Sequence, residues 1–204
     1  MQKGKDMLAT KPKVKPSKPF ELVLTGLDPS FRNLGMVKFV YDREGLFPID
    51  EKLQVTVKAP KAAKVRVNCD DLERARDLYK AMQAFIAGSD YLFMEMPVGS
   101  QSASGMKSYG VCVGLAASIE IPLILVLPHE VKQATGLAKT ASKEEMRKWA
   151  YKKYPDVRWL RARNNPKGAF TDANEHLADA CAAVEAGIKT PEFLRLLPLI
   201  KKAW

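Results

Sequence analysis

Three short extended runs follow one another early in the chain with no helix-length segment between them, and this crowding restricts the fold more than any other feature. Phe20 to Leu27 is a first apolar run, and Asn33 to Tyr41 is a second. Asp42-Arg43-Glu44-Gly45 reads as a turn into a third strand around Leu53–Val57. Strands joined by links this short must pair antiparallel, because a parallel pair needs a crossover of a dozen or more residues.

The period then changes. Asp70 to Ala87 places Leu72, Ala75, Leu78, Tyr79, Met82, Phe85 and Ile86 at helical spacing, and Gly88 stops it. Tyr91 to Met96 is a short apolar strand ended by Pro97, Ser104 to Ile119 a helix, and Pro122 to Leu127 another buried strand. His129 to Ala134 reads as a short helix. Ser142 caps the next one, with Glu144 and Glu145 in its first turn and Lys152 and Lys153 near its end, a polarity that complements the helix dipole. Thr171 to Gly187 is the last long helix. Strand–helix alternation in this half implies parallel strands joined by crossover helices. The expected architecture is α/β: a mixed five-stranded sheet, three antiparallel strands followed by two parallel ones, with helices on both faces. Its 204 residues suit one domain, spanning 20–190. A Lys- and Pro-rich arm, 1–19, cannot form regular structure and is expected to be disordered. An amphipathic tail helix, 191–204, follows the domain.

The formal charge is +10, which favours a polyanionic partner through counterion release. Its distribution strengthens that reading. The arm carries six lysines against Asp6, and eleven basic residues from Lys132 to Lys167 face only Glu144, Glu145 and Asp156. The middle of the chain must then be near neutral or acidic. Clustering of this kind points to a groove or face rather than to general solubility. Cys69, Cys112 and Cys181 are odd in number and lack CxxC spacing, so they read as small buried residues in a reduced compartment. No apolar run of membrane-spanning length and no signal-peptide core occur, so the expected setting is soluble and cytoplasmic.

The carboxylates give the chemistry. Asp28 closes the run Leu22-Val23-Leu24-Thr25-Gly26-Leu27, and Glu95 stands inside Tyr91-Leu92-Phe93-Met94-Glu95-Met96 on the face of Phe93 and Tyr91. Charges at such positions are expensive unless something pairs with them. His176 and Asp179 are three residues apart on the last helix and share a face. Singly, each has an ordinary explanation as a cap, an ion pair or a solvated residue. Together they form a hard, oxygen-rich set with one imidazole, suited to Mg²⁺ or Mn²⁺ more than to Zn²⁺. Two such ions would allow phosphodiester hydrolysis without a protein nucleophile.

At this point a family resemblance emerges. Gly26-Leu27-Asp28-Pro29-Ser30 with Asn33-Leu34-Gly35, Met94-Glu95-Met96-Pro97, Val131-Lys132-Gln133 with Gly136 and Lys143, and Asn174-Glu175-His176-Leu177-Ala178-Asp179-Ala180 resemble, in order, the motifs of the RuvC family of Holliday junction resolvases. The resemblance runs from about Phe20 to Gly187. It implies an RNase H-like fold, a homodimer, and paired symmetric nicks across a four-way DNA junction that leave 5′-phosphates. It also implies that Asp28 bridges two metal ions, that Glu95 and Asp179 complete the cage, and that His176 binds or orients the second metal or the attacking water. Lys107, Lys132, Lys139 and Lys143 are expected at the DNA. The stretch Pro97-Val98-Gly99-Ser100 departs from the bacterial pattern, in which an aromatic residue follows the glutamate and wedges into the junction. Relaxed selectivity for branched DNA, as in phage-encoded members, is therefore one expectation. A nuclease of the same fold acting on RNA and a non-catalytic nucleic-acid-binding module are alternatives. A sugar-kinase-type phosphotransferase fits poorly, since it needs two copies of the fold.

Overall fold

A computed structural model describes residues 20–165 and 167–203. The basic arm 1–19 and Trp204 at the end of the expected tail helix lie outside the described residues. The elements run β1 (Leu22–Pro29), β2 (Asn33–Tyr41), β3 (Leu46–Val55), α1 (Val67–Ile86), β4 (Tyr91–Glu95), α2 (Ala103–Ala117), β5 (Leu123–Val126), α3 (Pro128–Ala134), α4 (Lys143–Lys153), α5 (Asn174–Gly187) and α6 (Pro191–Ala203).

The sheet has the order β3-β2-β1-β4-β5. β1 pairs antiparallel with β2 and parallel with β4, β2 pairs antiparallel with β3, and β4 pairs parallel with β5. This is the mixed sheet that the periodicity implies. The third strand differs: it begins at Leu46, immediately after the turn, rather than near Leu53. The Asp42 carboxylate accepts from the backbone N–H groups of Glu44 and Gly45, which closes a tight hairpin and brings Leu46 opposite Tyr41. Pro48 and the charged residues Asp50, Glu51 and Lys52 obscure the strand in sequence. An edge position tolerates them.

Alternation along the strands divides the core into two layers. Leu22, Leu24, Val37, Phe39 and Phe93 pack against α4, α5 and α6, whereas Leu27, Leu34, Met36, Leu92 and Met94 pack against α1 and α2. Helices thus cover both faces. On α1 the buried positions are Arg74, Leu78, Ala81, Met82, Phe85 and Ile86, while Leu72 and Tyr79 of the expected apolar face are exposed. Cys69 is exposed too, contrary to the reading of all three cysteines as buried, because it falls off that buried face; Cys112 and Cys181 are buried as expected.

Helix α5 lies deepest. From Ala180 to Gly187 every residue is buried, including Ala182, Ala183 and Ala186. Small side chains let the helix backbone approach the sheet, and the sheet meets it with glycines. A Cβ on Gly26 would stand 2.0 Å from the Ala180 carbonyl oxygen, and one on Gly35 would stand 2.1 Å from that of His176. The tail helix α6 is anchored through the fully buried Phe193, whose ring meets those of Tyr41, Tyr91 and Phe93 edge-on. Among the described residues, no helix is long and apolar enough to cross a membrane.

Candidate active site at the sheet edge

Two adjacent parallel strands deliver the first two carboxylates. The β1–β4 ladder runs from Leu24 opposite Tyr91 to Leu27 opposite Met94, and the next residues on each strand are Asp28 and Glu95. Asp28 shares its strand face with Gly26, and Glu95 shares its face with Phe93, so both belong to the side covered by α5. The approach permitted by Gly26 and Gly35 sets the first turns of α5 over this edge. His176 and Asp179, three residues apart, face the strand ends from there.

The contact that ties helix to sheet is between His176 Nδ1 and Asp28 Oδ2, at 2.6 Å. The other ring nitrogen, Nε2, lies 2.9 Å from Asn33 Nδ2. An amide nitrogen can only donate, so in the neutral ring Nε2 accepts from Asn33 and Nδ1 donates to Asp28. Glu175 Oε1 stands 3.7 Å from Nε2 and accepts from Lys143 Nζ at 3.0 Å. Asn33 itself is fixed by a tight turn after β1, in which its N–H donates to Ser30 Oγ and its carbonyl accepts from the Ser30 hydroxyl and N–H. The start of α5 is held by Asn174, whose buried amide accepts from Leu160 N–H and donates to the Leu160 carbonyl and the Tyr151 hydroxyl.

The electrostatics show negative charge crowded at a poorly solvated edge. Burial, then the charges of Asp28 and Asp179, pushes Glu95 up to about 8, with Lys132 opposing. Burial, then Asp28, pushes Asp179 up to about 7, with His176 and Lys143 opposing. For His176, burial disfavours the charged ring, but the hydrogen bond and charge of Asp28 outweigh it, and its pKa is raised. A hard divalent cation would relieve carboxylates in this situation, so the donor set Asp28, Glu95 and Asp179 fits Mg²⁺ or Mn²⁺ chemically. Among the described residues, no three of these side chains already close around one point as a finished metal cage. Both nitrogens of His176 are engaged, Nδ1 by Asp28 and Nε2 by Asn33.

The structure brings all four expected site residues to one edge. The expected DNA contacts are more scattered. Lys132, on α3, is close enough for its charge to act on Glu95. Lys143 opens α4 and is tied to Glu175 beside His176. Lys139 is exposed on the link between α3 and α4. Lys107 lies on α2, on the other side of the sheet, paired with Asp71 at 2.7 Å and 5.2 Å from the centre of the Phe31 ring. Sequence reasoning assigned no role to Asn33 or Asn174. The signal was present, since both fall within the quoted motifs, but a buried amide is indistinguishable from a surface one until its partners are known.

No family model matches the chain, and no curated protein matches it in sequence. Solved structures do match in shape. A Thermus thermophilus RuvC structure aligns with a TM-score of 0.55 at 17% identity, covering 87% of this chain and 97% of that one. T. thermophilus RuvC in complex with a Holliday junction substrate aligns at 0.57 and 18%, covering 87% and 96%. The yeast mitochondrial Holliday junction resolvase Ydc2 aligns at 0.53 and 10%, covering 89% and 86%. The described domain therefore has the RNase H-like fold of the RuvC-type resolvases.

Proposed function

We propose that this chain is a metal-dependent endonuclease that resolves Holliday junctions by paired symmetric nicks, leaving 5′-phosphates. The observation that carries the reading is the convergence of Asp28, Glu95 and Asp179 at one edge of a RuvC-type fold, where burial, and then the neighbouring negative charge, pushes Glu95 and Asp179 up. Bound Mg²⁺ or Mn²⁺, two ions in this reading, would supply Lewis-acid polarisation of the phosphate and a more acidic water. The chain does the positioning. Asp28, Glu95 and Asp179 are the ligands. His176 holds Asp28 in one rotamer through Nδ1 and is itself held by Asn33 through Nε2, the kind of outer hydrogen bond that keeps a ligand in place. Lys132 and Lys143 bring positive charge to the side where a phosphodiester backbone would lie.

Paired nicks on two strands need two such sites, so the active species in this reading is a homodimer. The stretch Pro97–Ser102 is exposed apart from half-buried Pro97 and carries no aromatic side chain. That favours tolerance of several branched DNAs, the reading kept second. Cleavage of four-way, three-way, flap and linear substrates with Mg²⁺ and with Mn²⁺ tests both. Paired cuts confined to the four-way junction support the resolvase, cuts in all branched substrates support the broader nuclease, and equal cutting of linear duplex overturns the assignment.

A further inference from the structure

The link between β3 and α1 holds a basic patch that the charge distribution along the chain hides, because the surrounding middle segment is otherwise acidic. Between Val57 and Cys69 stand Lys58, Lys61, Lys64 and Arg66 with no acidic residue among them, and all four are exposed. Among the described residues, none of the four takes part in an ion pair. The nearest acids are already engaged. Asp70 accepts from the Ala59 N–H at 2.8 Å, and Asp71 is held by Lys107 at 2.7 Å and by Arg74 at 3.6 Å.

The link is folded, with a single 3-10 turn at Lys61–Ala63 and Lys64 in the left-handed region. Its base is fastened to the turn that follows Asp28. Thr56 N–H donates to the Arg32 carbonyl at 2.8 Å, and Thr56 Oγ1 donates to the Phe31 carbonyl at 2.8 Å. Buried Arg74 lies over the Phe31 ring and donates to the same carbonyl and to Thr56. On the α2 side, Phe31 N–H donates to Ser108 Oγ. A cleft of about 210 Å³ opens between the link and the start of α1; Lys58, Lys61 and Lys107 line it together with Asp70 and Asp71.

The carboxylate edge therefore has positive charge on both sides. Lys132 and Lys143 stand on the α5 side, and Lys58, Lys61, Lys64 and Arg66 on the α1–α2 side. We infer that the link from Lys58 to Arg66 is a second DNA-backbone contact, which grips duplex DNA on the side of the active site opposite Lys132 and Lys143. It rests on the nuclease reading for its choice of DNA as partner. Lysine and arginine without acidic partners are the groups that release counterions from phosphates, and a folded link loses less conformational entropy on binding than a free tail.

The test is binding of a four-way junction to the full chain at a series of salt concentrations, in Asp28→Asn to prevent cutting, with and without Lys58→Gln, Lys61→Gln, Lys64→Gln and Arg66→Gln together. The four-fold variant is expected to lower the slope of log affinity against log salt by about 2–4, since each lost phosphate contact contributes about 0.9. Affinity near physiological salt should fall at least about 10-fold, and a lysine-to-arginine version at 58, 61 and 64 should bind normally. An unchanged slope in a variant with normal thermal melting overturns the inference. Failure of the nuclease reading looks different: the unmutated chain binds the junction, the slope falls in the four-fold variant, and no metal produces a cut. If the unmutated chain binds no DNA, both readings fail.

Discussion

His176 Nδ1 and Asp28 Oδ2 lie 2.6 Å apart and join the first turn of α5 to the end of β1. The pair separates two roles that the sequence motif leaves merged. Among the described residues, Oδ2 is the Asp28 oxygen that takes a hydrogen bond, whereas both nitrogens of His176 are taken. Asp28→Asn keeps the shape and can still bond to the ring, so it is expected to lose cleavage by about 100-fold or more with junction affinity preserved. His176→Ala should lose about 10–100-fold, the usual effect of removing a group that orients a ligand. Single-turnover cleavage beside a gel-shift titration checks both, and full activity in Asp28→Asn would sink the assignment.

Metal-free protein should lose stability as pH rises from 5 to 8. Glu95 is pushed up to about 8 and Asp179 to about 7, while the unfolded chain releases these protons near 4.5 and 3.8. The folded state thus holds protons that the unfolded state has lost. This contribution is fully present below the unfolded values and disappears as pH passes through the folded ones. His176, also raised, acts in the same direction. A loss of roughly 2–4 kcal/mol is expected over this window after allowing for solvent screening. Millimolar Mg²⁺ at pH 8 should recover it, as read from melting temperatures. Melting that is independent of both pH and Mg²⁺ would contradict the crowded-carboxylate picture.

Gly35→Ala should damage structure and catalysis together. The added carbon would meet the His176 carbonyl oxygen at 2.1 Å, and backbone on both sides leaves little room to yield. A cost of about 1–3 kcal/mol, at the upper end, follows for overpacking at such a contact. Displacement of His176 should lower cleavage further than the stability loss explains. Denaturant midpoints and single-turnover rates, measured on the same samples, separate the two effects.

Lys132→Ala and Lys143→Ala should weaken junction binding more at low salt than at high salt, each reducing the salt slope by about 1. Lys132→Ala should also drive Glu95 further up, because its charge is one that pulls that carboxyl down. The acidic limb of the pH–rate profile would then move to higher pH. Lys143→Ala should move that limb in the same direction through Asp179, the carboxyl that Lys143 pulls down.

Much of this was legible in the sequence because it follows from short-range rules. Period-two runs and short links imply the mixed five-stranded sheet, and the i, i+3 spacing places His176 and Asp179 on one face. Asp28 and Glu95 were conspicuous as charges in apolar runs. What escaped depends on distant partners. Arg74 looks like a surface residue until Phe31 and Thr56 are seen around it. Leu72 and Tyr79 fit a helical stripe, yet the sheet lies against the neighbouring one. The first part of β3 escapes because Pro48 and the charged residues Asp50, Glu51 and Lys52 interrupt it, so periodicity places the strand only around Leu53–Val57, whereas it begins at Leu46. The four cations from Lys58 to Arg66 were averaged away by the acids of α1, to which only the fold shows they do not pair.

Helix α5 has a consequence for how the protein can vary. Gly26, Gly35, the Ala180 carbonyl and the ring of Phe93 against Gly187 leave it no clearance along its length. It works as a ruler laid on the sheet, with His176 and Asp179 as the marks nearest the chemistry. Adding or deleting one residue between Ala180 and Gly187 would turn the upstream helix by about 100° relative to the rest, carrying both marks off the edge. Change tolerated by this chain should therefore accumulate in the links and at the rim, while the length of this helix stays constant.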